Sequence, residues 1–162
     1  MSKYLKFLFV MSFAAVIGAC STTSDSNKVA SVDVTSQGMS YDPINDPKTI
    51  VYGKRSIYFD FDSYKIKPEF QSLIEAHAKY LRDNQDKKAR VSIQGNTDER
   101  GTTEYNLALG QKRSEAVRKA LSILGVKDNQ LEAISFGKEK PKAKGSNEEA
   151  WKENRRADIV YR

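Results

Sequence analysis

The residues best suited to chemistry in this sequence are a carboxylate and a guanidinium fifteen positions apart. Asp98 stands in the polar run Asn-Thr-Asp-Glu-Arg, directly after an apolar alternating segment, and Arg113 stands in the helical segment that follows. At about 100° per residue, Arg113 and Asn106 fall inside the apolar arc of that helix. A charge in such a position is costly unless it is paired and hydrogen-bonded. The apolar arc that we expect to face a sheet consists of Tyr105, Leu109, Ala116, Val117, Ala120, Leu121 and Leu124.

The spacing of this pair leaves two arrangements open. In the first, Asp98 and Arg113 form a closed internal ion pair, because the guanidinium fork matches a carboxylate with two hydrogen bonds. In the second, both ends stay partly accessible and form a cleft with one anionic and one cationic wall. Such a cleft suits a small zwitterion, with its carboxylate on Arg113 and its ammonium on Asp98. Asn106 would add a donor and an acceptor.

Other patterns that could carry chemistry are weaker. Four carboxylates could serve glycan hydrolysis or a divalent metal, but no activated nucleophile accompanies Asp60, Asp62, Asp98 and Glu99. His77 is the sole histidine and lies on the apolar face of a helix, which favours a core role and argues against a histidine metal site. The chain has no P-loop or dinucleotide fingerprint. We therefore predict no catalytic residue, no metal and no cofactor.

The elements that position these residues alternate along the chain. Aromatic and β-branched alternation predicts strands, and apolar residues at helical spacing predict helices. The order β-α-β-α-β-α-β predicts an α+β fold, a two-layer sandwich with helices packed on a mixed four-stranded sheet. The predicted elements are a strand at 56–61, a helix from Pro68 to about Arg82, a strand at 91–95, a helix at 103–124 ending before Gly125, a strand at 131–136, a helix at 148–155 and a strand at 157–161.

The amino-terminal segment is typical of a secretory signal peptide. It carries two lysines and an apolar segment from Leu5 to Ile17 that is too short for a membrane span. Without this leader, 25 basic residues remain against 21 acidic ones, a net charge of about +4. The excess of basic residues is explained most simply if they lie on a solvated surface. The alternative is that they attract a polyanion such as a cell-wall polymer. Export argues against nucleic acid as a partner.

Cys20 is the sole cysteine, so no intramolecular disulfide can form. The segment Ile17-Gly18-Ala19-Cys20 resembles the lipobox of bacterial lipoproteins, which implies removal of residues 1–19 and lipidation of Cys20. Ser21, in place of the aspartate that retains such lipoproteins in the inner membrane, favours the outer membrane.

Residues 20–50 are predicted to form a flexible tether. They are rich in Ser, Thr, Asp and Asn and hold few large apolar residues, so they cannot bury enough surface to offset the entropy of ordering. A flexible chain of this length has a typical end-to-end distance of about 30 Å. The folded domain is predicted to occupy residues 51–162.

The polar run, the helix and their flanking motifs resemble the OmpA-like peptidoglycan-binding domains, and within them the peptidoglycan-associated lipoproteins. The resemblance rests on YFDFDSYKIKP, GNTDERGTTEYNLALGQKRSEAV, SFGKEKP and NRRADIVY, and it covers about residues 52–162. These motifs are long, ordered and correctly spaced, so the resemblance is specific.

The resemblance implies binding of the diaminopimelate in the peptide stem of the cell wall. Asp98 and Arg113 match the family residues that bind its ammonium–carboxylate end. The implied pocket consists of Asp62, Thr97, Asp98, Arg100, Tyr105, Asn106, Leu109 and Arg113. Asn96 stands where many relatives have a histidine, and Arg155 and Arg156 match the family with an expected supporting role at the mouth of the groove.

The resemblance also implies a lipid-anchored outer-membrane protein that faces the periplasm and ties the membrane to peptidoglycan without covalent chemistry. TolB and the Tol complex are the implied partners, in envelope integrity and cell division. A periplasmic wall-remodelling enzyme is one alternative, and a structural lipoprotein with a closed Asp98–Arg113 pair is another. With an open site, Arg113→Ala is expected to abolish wall binding and leave the fold intact.

Overall fold

In the part of the chain that the structure describes, four strands and three α-helices follow one another in the predicted order. In the computed structural model of the chain, Thr49, residues 51–85 and residues 89–162 are described, all within a compact unit from Met39 to Arg162. The predicted signal peptide, Cys20 and the tether lie outside the described residues, apart from Thr49. The elements are β1 (Ser56–Tyr58), α1 (Gln71–Asp83), β2 (Val91–Asn96), α2 (Thr103–Ile123), β3 (Leu131–Gly137), α3 (Glu148–Asn154) and β4 (Arg156–Tyr161).

The strands form one mixed sheet in the order β1-β4-β2-β3. β2 and β3 are parallel, and β4 runs antiparallel to both β1 and β2. The predicted α+β sandwich is therefore confirmed. The carboxyl ends of β1, β2 and β3 meet the start of β4 at one end of the sheet, and the polar run 96–100 leaves β2 at that end. No helix in the described part of the chain has the length and apolar character needed to cross a membrane.

The face of α2 that packs on the sheet differs slightly from the predicted arc. Its buried residues are Asn106, Leu109, Gly110, Arg113, Ser114, Val117 and Leu121. Tyr105 was expected to face the sheet, but 52% of it is exposed. The arc is rotated toward Gly110 because α2 approaches β2 most closely there. A Cβ on Gly95 would lie 1.8 Å from the Gly110 carbonyl oxygen.

This glycine contact between β2 and α2 sets the position of the polar run, because Gly95 lies just before Asn96. We predict that Gly95→Ala lowers the free energy of unfolding by about 3 kcal/mol, since the methyl overlaps backbone atoms that cannot rotate away. Chemical denaturation measures the effect. The control is Gly53→Ala: its φ is +64° but nothing lies within 4 Å, so only about 1 kcal/mol of backbone strain is expected. Equal losses in both variants would contradict the packing explanation.

The first strand is shorter than predicted. It ends at Tyr58. Phe59 N–H still donates to the Arg155 carbonyl at 2.9 Å, and the chain turns at residues 61–62, with Asp62 at a φ of 53°. The predicted core role of His77 is confirmed: the side chain is fully buried, with Nδ1 2.8 Å from the Tyr161 hydroxyl and Nε2 3.1 Å from the Lys54 carbonyl oxygen.

Candidate functional site

A cavity of about 250 Å³ opens at the sheet end where the polar run leaves β2. We call it the primary cavity. All eight residues of the expected pocket line it, together with Phe61 and Gly101. At about 30 Å³ per water molecule, its volume corresponds to about eight waters, which suits a guest the size of an amino acid. The lining residues come from the β1–α1 loop, the β2–α2 loop and the first half of α2.

Arg113 is the largest fully buried side chain of the described residues. Its Nε donates to the Ser63 carbonyl at 2.8 Å, Nη1 to the Asn96 carbonyl at 2.8 Å and Nη2 to the Asp60 carbonyl at 3.1 Å. Burial lowers the pKa of Arg113 to about 10, against the opposing attraction of Asp98. The guanidinium therefore stays charged at neutral pH, and it fastens the β1–α1 loop to the end of β2.

The expectation that Asp98 is the direct partner of Arg113 is wrong. No ion pair or hydrogen bond joins them in the described structure. Arg100 instead donates two hydrogen bonds to the Asp98 carboxylate, from Nε at 3.1 Å and from Nη2 at 2.7 Å. Arg155 adds a longer contact of 3.4 Å. The physical reason is that backbone carbonyls already compensate Arg113, while Arg100 lies only two residues from Asp98 and reaches it within the same turn.

The charge of Asp98 is stabilised by these neighbours. Burial raises the pKa of the carboxyl. The hydrogen bonds and positive charge of Arg100, with a smaller contribution from Arg155, lower the pKa by more than burial raises it, so the net pKa is below the ordinary value. Asp98 is thus an ionised group with only 4% exposure.

The lowered pKa of Asp98 predicts a dependence of stability on pH. Its contribution is fully present above the unfolded-state pKa of about 3.9 and is lost as the pH falls through the lower folded-state value. We expect the free energy of unfolding to fall as the pH drops below about 4, and to fall less in Asp98→Asn. Denaturation of both proteins at several pH values measures the difference. Parallel curves for the two would contradict the prediction.

Arg100 is held between two aromatic rings. Its guanidinium carbon lies 4.1 Å from the centre of the Phe61 ring and 4.0 Å from that of Trp151. The hydrogen bond to Asp98 raises its pKa. Trp151 belongs to α3, and its Nε1 donates to a Glu99 oxygen at 3.2 Å. Trp151 is absent from the pocket expected from the sequence, because nothing in the spacing links position 151 to position 100.

Arg155 and Arg156 do not line the primary cavity. Arg155 is buried behind Asp98, where it also donates to the Phe59 carbonyl at 3.2 Å and to a Glu148 oxygen at 2.6 Å. Arg156 pairs with Asp158 at 2.9 Å. Their expected place at the mouth of the groove is therefore wrong, but Arg155 does support the site through its contact with Asp98.

Tyr105 and Asp62 form the outer wall of the primary cavity, with the Tyr105 hydroxyl donating to the Asp62 carboxylate. The Asn106 amide donates to the Arg100 carbonyl at 2.7 Å and to the Thr102 carbonyl at 3.0 Å, so its donors hold the loop rather than a guest. Among the described residues, Thr97 Oγ1 and Asn96 Oδ1 are buried without a hydrogen-bond partner. Thr97 lines the cavity.

The described residues contain no group of three or more His, Cys, Asp and Glu side chains placed to hold a metal ion.

Comparisons with known proteins agree on one family. The OmpA family model matches residues 58–155, more than half of the chain. A peptidoglycan-associated lipoprotein of Haemophilus influenzae is 38% identical over 161 residues, covering 99% of this chain and 100% of that protein. The crystal structure of the peptidoglycan-associated lipoprotein from Burkholderia pseudomallei has a TM-score of 0.71 at 60% identity, covering 75% of this chain and 100% of that one.

The same fold occurs in the C-terminal domain of Helicobacter pylori MotB. That structure has a TM-score of 0.61 at 27% identity and covers 66% of this chain and 83% of that one.

Proposed function

Because the chain belongs to the OmpA family, and within it to the peptidoglycan-associated lipoproteins, we propose that it binds peptidoglycan without covalent chemistry. Its primary cavity takes the ammonium–carboxylate end of diaminopimelate in the stem peptide. The observation that carries this proposal is a single cavity of amino-acid size that combines two guanidinium groups, two carboxylates and an apolar wall.

The guest carboxylate lies against the cationic side of the cavity. A guanidinium has five N–H donors, and Arg113 uses three of them on carbonyls. The other two make no hydrogen bond among the described residues. In this proposal the guest carboxylate accepts from them where the fully buried Arg113 lines the primary cavity. Arg100 also keeps donors beyond those that bond Asp98. A charge-assisted hydrogen bond in a site of low dielectric is stronger than one in water.

The guest ammonium lies between Asp98 and Asp62. The four acceptor positions of Asp98 are occupied in this structure, three by Arg100 and one by the long Arg155 contact. The ammonium therefore displaces the weakest of these contacts. Asp62 is exposed and accepts from Tyr105 through one oxygen, so its second oxygen supplies the other contact.

The remaining parts of the proposal concern anchoring and partners. The signal peptide over residues 1–19, lipidated Cys20 and the tether to residue 50 place the domain in the periplasm at the outer membrane. Many weak wall sites on one polymer give avidity through high effective concentration. TolB and the Tol complex are the protein partners, in envelope integrity and cell division.

Sedimentation with purified peptidoglycan sacculi tests this function. The chain is expected to pellet with sacculi, to be released by free meso-diaminopimelate, and to leave no soluble muropeptides in the supernatant. Release of muropeptides would instead favour the alternative, a wall-remodelling enzyme. Failure to pellet would contradict the proposal.

A further inference from the structure

A second cavity shares a wall with the primary cavity. It measures about 270 Å³ and lies where the end of β3 meets the loop before α3. We call it the lysine cavity, because Lys138 and Lys144 line it, along with Thr97 and Glu99. Thr97 lines both cavities, so the two cavities adjoin at this residue.

The shared wall carries a polar atom without a partner. Thr97 is only 4% exposed, and its Oγ1 has no hydrogen-bond partner among the described residues. An orphaned buried hydroxyl is costly, so a native structure that keeps one has a reason to do so. A ligand atom that bonds to this hydroxyl would supply such a reason.

The other polar groups of the lysine cavity favour an anion. Lys138 Nζ donates to the Gly101 carbonyl at 2.9 Å, which fixes the ammonium and leaves two of its three donors. Lys144 adds a second, exposed ammonium. The single carboxylate, Glu99, already accepts from Trp151. The Asn154 amide is committed to the backbone of Lys142 and Ala143. The lysine cavity is thus lined by two ammonium groups and by one carboxylate that already accepts a hydrogen bond.

We propose that the lysine cavity binds the carboxylate of the stem-peptide residue next to diaminopimelate, with Lys138, Lys144 and the Thr97 hydroxyl as its donors. This inference rests on the proposed function. Two neighbours can supply such a group: the free α-carboxylate of the γ-linked glutamate on one side, and the terminal carboxylate of D-alanine on the other. The shared chemistry is a carboxylate held by two ammonium groups and a hydroxyl.

Calorimetric titration of the full chain with synthetic stem peptides tests the inference. The ligands are free meso-diaminopimelate, the Ala–γ-Glu–diaminopimelate tripeptide, the tetrapeptide that adds D-alanine, and versions amidated at the glutamate or at the D-alanine. Amidation of one neighbour is expected to weaken binding about tenfold, and the amidated position identifies the source. The Lys138→Met/Lys144→Met variant is expected to bind the acid peptide about tenfold more weakly than the wild type does. Its affinity for the amidated peptide and for free diaminopimelate is expected to equal that of the wild type.

Lys119→Met provides the matched control, because it removes an exposed lysine on α2 and is expected to bind every peptide like the wild type. The inference is overturned if neither amidation changes the affinity while the peptides still bind. It is also overturned if the double variant discriminates acid from amide as well as the wild type does. If no diaminopimelate ligand binds at all, the proposed function fails as well, so the two failures are distinguishable.

Discussion

Replacing Arg113 with alanine is expected to lower the free energy of unfolding by about 3–5 kcal/mol. The substitution removes a fully buried guanidinium and leaves the carbonyls of Asp60, Ser63 and Asn96 without their donor. An orphaned acceptor that is fully buried, as the Asn96 carbonyl is, costs about 1–3 kcal/mol, and the part-buried carbonyls of Asp60 and Ser63 cost less because water reaches them. The sequence alone predicted that Arg113→Ala would keep its fold, and the structure replaces that prediction. Urea denaturation followed by circular dichroism measures it.

Arg118→Ala is the matched control for this variant, because it removes the same group from the exposed side of the same helix. Arg118 makes a surface ion pair with Asp128 at 3.0 Å, and such pairs contribute about 0–1 kcal/mol. A loss for Arg113→Ala no larger than the loss for Arg118→Ala would show that the three carbonyl bonds do not hold the loop.

Asp98→Asn is expected to weaken the binding of a diaminopimelate stem peptide by about 2–4 kcal/mol, which is about 30- to 1,000-fold. The substitution keeps the shape of the side chain and removes its charge. The guest ammonium then loses its buried counter-ion, while Arg100 loses the partner that orients it between Phe61 and Trp151. Arg155 keeps its bonds to Glu148 and Phe59, so the fold is expected to survive at neutral pH. Calorimetric titration measures the affinity.

The control for Asp98→Asn is Asp128→Asn, an equal charge change on an exposed residue outside the primary cavity. It is expected to bind the peptide like the wild type. Equal effects of the two substitutions would mean that net charge, rather than a carboxylate in the cavity, governs binding.

Helix α2 shows how far periodicity alone predicts structure. Its bounds were predicted to within a residue or two because apolar spacing is sustained over many turns and Gly125, at a φ of 90°, ends it. Strand β1 was predicted too long. The alternation in Tyr-Phe-Asp-Phe continues past Tyr58, but Arg113 takes the carbonyls of Asp60 and Ser63 as acceptors. Tyr58 lies opposite Arg156, the first residue of β4, so β1 ends where its partner strand begins, although the local pattern would have extended it.

The membership of the candidate site was easier to predict than its contacts. Spacing and resemblance named eight residues, and the structure places all eight around one cavity. The partner of Asp98 was missed because helical periodicity drew attention to Arg113 and away from Arg100, two positions along. The acceptors of Arg113 were missed for a different reason: they are backbone carbonyls, which every residue has and which no sequence pattern marks.

The most direct test of the primary cavity compares two stem tripeptides that differ by one carboxylate. One ends in meso-diaminopimelate and the other in lysine, which has the same chain and ammonium but lacks the second carboxylate. The chain is expected to bind the diaminopimelate peptide about 10- to 150-fold more tightly, the value of one hydrogen-bonded charge in a buried site, about 1.5–3 kcal/mol. Equal affinity for the two peptides would contradict recognition of an ammonium–carboxylate end.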